Sequence, residues 1–123
     1  MPRNEFSRRI RPPVQAELQA ARACTSRGDA AAAFNHLERA HVIGQFSTRE
    51  HVRVHWQMLR WALRNKRPSE LAAQILRIVG AATKTAIGLL PNGNTGGGNI
   101  SAFTALPVPA DLAEIIASAR SAP

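Results

Sequence analysis

The stretch HLERAHVIGQFSTREHVRVH, residues 36–55, contains all four histidines of the chain and decides how its middle folds. An Ala-rich segment precedes it and ends at Gly44, and Ser47 and Glu50 then have the spacing of a capping box. This pattern predicts one helix that stops, a short link and a second helix. Because the link is short, the two helices should be antiparallel neighbours. We therefore expect a helical hairpin lined with histidines.

Stop and start signals of the same kind predict the other elements. Gly28 ends a first helix and Asp29 caps the next, while NGNTGGGN at residues 92–99 favours a loop over a helix or a strand. No alternating strand pattern is present, so the class is all-α, a compact four-to-five-helix bundle with a Gly/Asn-rich loop and a short C-terminal helix. Residues 1–13 are expected to be a basic N-terminal arm and 14–123 a single helical domain. The predicted helices are Val14–Arg27, Asp29–Ile43, one following the Ser47 cap to Asn65, Pro68–Leu90, and the segment ADLAEIIASA.

The net charge of +8 is concentrated in the first half of the chain. Residues 1–67 hold 13 Lys or Arg against 5 Asp or Glu (13 − 5 = +8), whereas residues 68–123 hold 3 of each. Arginines make up 14 of the 16 basic residues, and the planar guanidinium binds phosphate and carboxylate bidentately. A nucleic acid or an acidic partner therefore remains possible, although a solvated basic surface is the preferred interpretation.

The sequence does not support a disulfide-bonded protein, an exported protein, a membrane-spanning protein or a serine hydrolase. The single cysteine, Cys24, excludes an internal disulfide and a Cys-x-x-Cys site, and fits a cytoplasmic location. The segment SRRIRPP is not followed by the apolar stretch of an export signal. The most apolar run, LAAQILRIVGAATKTAIGLL, is interrupted by polar residues and predicts a buried helix rather than a membrane span. A serine triad is not supported, because no histidine follows residue 55.

The hairpin places its histidines on apolar faces. At about 100° per residue, His51 and His55 lie within about 40° of each other and share a face with Leu59. On the preceding helix His41 lies within about 40° of Leu37, on its apolar face. The opposite side of the second hairpin helix is basic and is a possible contact surface for an anion or a partner, through Arg49, Arg53, Arg60 and Arg64.

Three histidines on facing apolar surfaces favour a metal ion. Buried imidazoles are costly unless each ring nitrogen has a partner, and His51 with His55 has the i, i+4 spacing that chelates one ion. Glu38 precedes His41 in a Glu-x-x-His arrangement, which adds His41 and Glu38 to the expected ligands. Imidazole and carboxylate suit Zn, Fe(II) or Cu(II). Side chains on the flanks of this face are candidates to support the ligands from outside, namely Glu17 and His36.

Other interpretations of the histidines stay open. Backbone carbonyls can satisfy buried imidazoles without any ligand. Haem is a weaker alternative, and a di-iron carboxylate site would need a second Glu-x-x-His motif. Whether such a site is catalytic, and through which residues, is unknown from the sequence. Two further hypotheses are an arginine-rich binding module and a structural helical domain that forms a homo-oligomer.

The segments HLERAHVIGQ, HVRVHWQML, GNTGGGNISAF and LPVPADL together resemble a small family of uncharacterised bacterial proteins of about this length. The likeness spans about residues 14–118. It implies a stand-alone bacterial domain in which the histidine hairpin and the Gly/Asn-rich loop belong to one unit. The family carries no settled activity, so the resemblance implies neither a metal nor a reaction. We also expect that loop to cover the open side of the histidine site.

Overall fold

The chain folds into helices throughout the part that the structure describes. The computed structural model describes the backbone of residues 3–87, 96 and 106–121, and the side chains of 4–80, 96 and 106–121. No strand occurs in these ranges, which confirms the all-α class. The loop at 92–99, apart from Gly96, and the predicted end of the fourth helix at Leu90 lie outside the described residues. The helices are α1 (Arg3–Ser26), α2 (Ala30–Gly44), α3 (Thr48–Arg64), α4 (Pro68–Ile87) and α5 (Ala110–Ser121).

Helix α1 begins much earlier than the sequence predicted. We expected it to start at Val14, after a basic arm, but it runs without a break from Arg3 through Pro12 and Pro13. Each interior proline removes a backbone hydrogen bond and costs about 3 kcal/mol, so the two together cost about 6 kcal/mol. Burial of Phe6 and Ile10 in the core, each worth about 2 kcal/mol, offsets a large part of this cost. They extend the apolar stripe that continues through Val14, Leu18 and Ala21.

The predicted start of each hairpin helix is confirmed. The carboxylate of Asp29 accepts a hydrogen bond from the backbone N–H of Ala32 at the start of α2. The hydroxyl of Ser47 accepts one from the N–H of Glu50 at the start of α3. Gly28 has a φ of 77°, the left-handed conformation that ends α1.

Helix α2 ends at Gly44 as expected, but Gly44 does not have the positive φ of a left-handed glycine stop. A Cβ at this position would meet Val14 Cγ2 at 3.2 Å and Glu50 Cβ at 3.3 Å. The absence of a side chain therefore lets the end of α2 pack closely against α1 and the first turn of α3.

The helices pack so that the hairpin occupies the centre of the bundle. Helix α1 packs along α2 and also contacts α3, and α5 packs on α1 and α2. Helix α4 packs on α3 alone among the described elements. Its outer face carries exposed apolar side chains, Ile75, Leu76 and Val79, and α3 adds Trp56 and Leu63. Formation of a homo-oligomer stays a prediction. None of the described helices has both the length and the apolar character needed to cross a membrane.

Candidate metal centre

Three histidines meet in the core between the two hairpin helices. His41 comes from the last turn of α2, and His51 and His55 come from successive turns of α3. Their exposed fractions are 3%, 4% and 2%. Because α2 and α3 are antiparallel and joined by a short link, the end of α2 lies beside the start of α3. The periodicity of the sequence predicted this placement of all three rings on the inner faces of the hairpin.

The three rings converge through the same ring atom. His41 Nε2 lies 3.0 Å from His51 Nε2 and 3.1 Å from His55 Nε2. The ring centroids are 4.7 to 4.9 Å apart, and His41 stands edge-on to both partners. One nitrogen from each ring can bind an ion, and these ligand atoms all lie within 4.8 Å of one another. The cluster can therefore hold a metal ion.

Hydrogen bonding between the rings does not by itself account for this convergence. An imidazole nitrogen has one in-plane position, which holds either a proton or a lone pair. His41 Nε2 can therefore make one well-directed hydrogen bond, yet two other ring nitrogens approach it at hydrogen-bond distance. A cation placed among the three nitrogens would accept a lone pair from each ring. This arrangement matches the donor set of a three-histidine metal site.

Gln74 of α4 determines which ring nitrogen of the neutral His55 carries the proton. Gln74 Nε2 donates to Glu70 Oε1 at 2.7 Å and to the carbonyl of Gly96 at 2.9 Å. Both partners only accept, so the amide oxygen must face the ring, and it lies 2.6 Å from His55 Nδ1. The Nδ1 atom therefore carries the proton and donates it to Gln74. In the neutral ring this leaves a lone pair on Nε2, the atom that points into the cluster.

Gly96 lies directly against His41. A Cβ added to Gly96 would be 2.5 Å from His41 Cδ2 and 2.9 Å from Nε2, so only glycine fits this position without a shift. Its φ of 81° is also a conformation that favours glycine. Gly96 belongs to the Gly/Asn-rich loop that we expected to cover the histidines, and this one described residue of the loop does contact them.

The acidic and histidine residues expected beside the three clustered histidines lie outside the cluster that the structure shows. Glu38 is half-buried on α2, and the cluster found among the described residues consists of the three histidines without it. Glu17 on α1 pairs with His36 Nδ1 at 2.7 Å and accepts from Arg39 Nε at 3.0 Å. These contacts join α1 to α2. Metal ligation by Glu38 and support by Glu17 and His36 stay predictions.

Arg39 extends this network to α5. Its guanidinium also donates to Asp111, and this hydrogen bond is the main reason why the pKa of Asp111 is lowered. The same bond to Asp111 raises the pKa of Arg39 further. Both groups are on or near the surface, so we assign the network only a modest part in holding the helices together.

The arginines of α3 do not form one continuous surface. The half-buried Arg53 donates to Glu50 Oε1 at 3.0 Å and to the side-chain oxygen of Gln15, so its guanidinium is paired within the protein. Arg49 is exposed at the start of the helix, and Arg60 and Arg64 are exposed near its end. Their contact with an anion or partner stays a prediction.

Sequence reasoning missed two residues of the site, Gln74 and Gly96. Gln74 was noted only as an interruption of an apolar run, yet it is fully buried. A polar residue in such a run needs a buried partner, and this signal points to a role in the core. Gly96 lies among several glycines, and nothing in its neighbourhood distinguishes it from them.

The fold and the cluster together define a small all-α protein with a buried three-histidine site able to hold a metal. The chain belongs to the family described as Protein of unknown function (DUF3703), which matches residues 8–116. No curated protein and no solved structure matches the chain.

Proposed function

We propose that this protein binds a divalent metal ion through the Nε2 atoms of His41, His51 and His55. The observation that carries the proposal is the approach of two ring nitrogens to His41 Nε2, at 3.0 and 3.1 Å. With one in-plane position, His41 Nε2 makes one well-directed hydrogen bond, and the second contact can be met only by sharing that hydrogen bond. A shared cation satisfies them together and also compensates for burying three polar rings.

The two nitrogen separations at His41 are close to those around a tetrahedral ion. Zinc–nitrogen bonds of about 2.0 to 2.1 Å place two ligands of a tetrahedron about 3.3 Å apart. The observed separations at His41 are shorter by only a few tenths of an ångström. The three ligand atoms lie within 4.8 Å of one another, so the rings would have to turn until all three separations match this spacing on Zn²⁺ or another borderline ion, Fe²⁺ or Cu²⁺. A porphyrin is a poor fit, because rings with centroids under 5 Å apart leave no room between them for the macrocycle.

The fourth ligand decides between two uses of such a site. Three protein ligands and a bound water are typical of catalytic zinc, where the ion acidifies the water. Glu38 or another protein group in the fourth position would instead give a structural or metal-handling site. The burial of all three rings and the contact between Gly96 and His41 favour the second use. We therefore propose metal binding for storage, transfer or stabilisation ahead of catalysis.

Titration calorimetry with Zn²⁺ tests the proposal on the tag-free protein. We expect one ion per chain, and we expect His51→Ala and His55→Ala to weaken binding by at least about tenfold each. His36→Ala is the comparison variant, because His36 is the one histidine outside the cluster, and it should weaken zinc binding much less than the two ligand variants. An equal loss in His36→Ala would show that zinc binds elsewhere, and no binding by the parent would refute the proposal.

A further inference from the structure

A second candidate site lies away from the histidines, in a cleft between α1 and α3. The cleft has a volume of about 310 Å³, at the lower end of the range for small-molecule sites. Its floor is apolar and formed by three buried side chains, Leu18, Ala21 and Leu37. None of the three clustered histidines lines it.

Three arginines surround this apolar floor. Arg22 comes from α1, and Arg60 and Arg64 come from successive turns of α3. No acidic residue lines the cleft, and none of the three guanidinium groups has a hydrogen bond or ion pair with the residues that the structure describes. Like charges at i, i+4 repel each other by a few tenths of a kcal/mol, and Arg22 adds a third charge to Arg60 and Arg64. A bound anion would relieve this repulsion.

The aromatic wall of the cleft is held in place. The indole Nε1 of Trp61 donates to the carbonyl of Ala30 at 2.9 Å, and its ring packs on Phe34 with centroids 4.5 Å apart. The guanidinium of Arg67 lies 5.9 Å from the ring centroid. A fixed aromatic surface beside charged groups is the combination that orients a ligand with an apolar body and a charged end.

We propose that this cleft binds a small amphiphilic anion, a phosphate or carboxylate headgroup attached to an apolar body. Arg22, Arg60 and Arg64 would bind the headgroup with charge-assisted hydrogen bonds, and Trp61 and Leu37 would contact the apolar part. The cleft is small and has an apolar floor. A nucleic-acid surface differs, because it contacts many phosphates of the nucleic-acid backbone through an extended row of basic residues. The site is independent of the metal proposal, since the two share no residue.

Fluorescence of Trp61 reports directly on the cleft. Trp56→Phe removes the only other tryptophan, which is largely exposed, and leaves Trp61 as the single emitter. In this background we titrate hexyl phosphate and hexanoate, which have both an apolar body and a charged headgroup. Hexanol has only the apolar body, and inorganic phosphate has only the charged group. We expect a saturable change with at least one of the two amphiphilic anions, at least about tenfold weaker binding of inorganic phosphate, and no saturable change with hexanol. The preferred anion identifies the headgroup.

Two variants with the same net charge distinguish binding in the cleft from attraction by the overall positive charge of the protein. The double variant R60Q/R64Q should weaken binding of the preferred anion by at least about tenfold. The control R49Q/R11Q makes the same change in net charge at exposed arginines outside the cleft and should stay within about twofold of the parent. Circular dichroism confirms that each variant is folded.

Three results would overturn the proposal. One is the absence of saturable binding by either anion, and another is an equal loss in both double variants. The third is a single-stranded oligonucleotide that binds more tightly than either anion and whose affinity falls equally in both double variants. That result would indicate a nucleic-acid surface instead.

Discussion

Replacing Gln74 with leucine tests how the histidine cluster is held. Leucine keeps much of the volume but removes the acceptor of His55 Nδ1 and the donor to the Gly96 carbonyl. The ring of His55 would then be free to turn or to move its proton to Nε2. A protonated Nε2 cannot bind a metal, so Gln74→Leu should weaken metal binding even though no ligand is changed.

The magnitude follows from the two buried groups that lose their partners. An unsatisfied buried donor or acceptor costs about 1 to 3 kcal/mol, so two such groups cost about 2 to 6 kcal/mol. Burial of the leucine side chain returns about 1.5 to 3 kcal/mol. The midpoints of these ranges, about 4 and about 2 kcal/mol, leave an expected loss of about 2 kcal/mol in the free energy of unfolding of the metal-free protein. Loss of a partner that orients a metal ligand typically weakens affinity 10- to 100-fold, and we expect this range for Gln74→Leu.

Urea unfolding and zinc titration of the same preparation measure both effects. Gln19→Leu is the matched control, because Gln19 is exposed on α1 and the chemical change is identical. It should leave the zinc affinity and the stability unchanged within about 0.5 kcal/mol. If Gln74→Leu bound zinc as tightly as the parent, the account of how His55 is oriented would be wrong.

Three other substitutions probe the fold and the cover of the site. Gly96→Ala should weaken zinc binding and lower the melting temperature, since its Cβ would lie 2.5 Å from the His41 ring; unchanged values would show that the contact is not required. Ile10→Ala should cost about 2 to 5 kcal/mol in urea unfolding, because Ile10 is fully buried in α1, whereas Arg11→Ala at the exposed neighbour should cost under about 1 kcal/mol. Equal effects of these two would mean that this part of α1 is not packed. Asp29→Ala should cost about 1 kcal/mol through loss of the α2 cap, and a stability equal to that of the parent would argue against the cap.

The hairpin was predictable because its signals are local. Asp29 and Ser47 cap the helices that follow them, and the structure shows both caps. Helical periodicity then placed His41, His51 and His55 on facing surfaces without any knowledge of the rest of the fold. It also placed His36 on a flank, where the structure pairs it with Glu17.

The remaining features depend on contacts between distant parts of the chain. Pro12 and Pro13 locally favour the end of a helix, but the helix continues through them, and burial of Phe6 and Ile10 against the bundle opposes the local preference. Gln74 reaches His55 only because α4 packs on α3. Packing of this kind depends on the whole core, so no short motif around these residues predicts it.

The metal content of the protein tests the central proposal most directly. The chain is purified without a histidine tag and without chelators, and elemental analysis gives the moles of each metal per chain. We predict about one equivalent of a single transition metal, and a melting temperature that falls on chelation, because an ion bound only by the folded state stabilises it. A content below about 0.2 per chain, with no change in melting after zinc addition or chelation, would contradict the proposal.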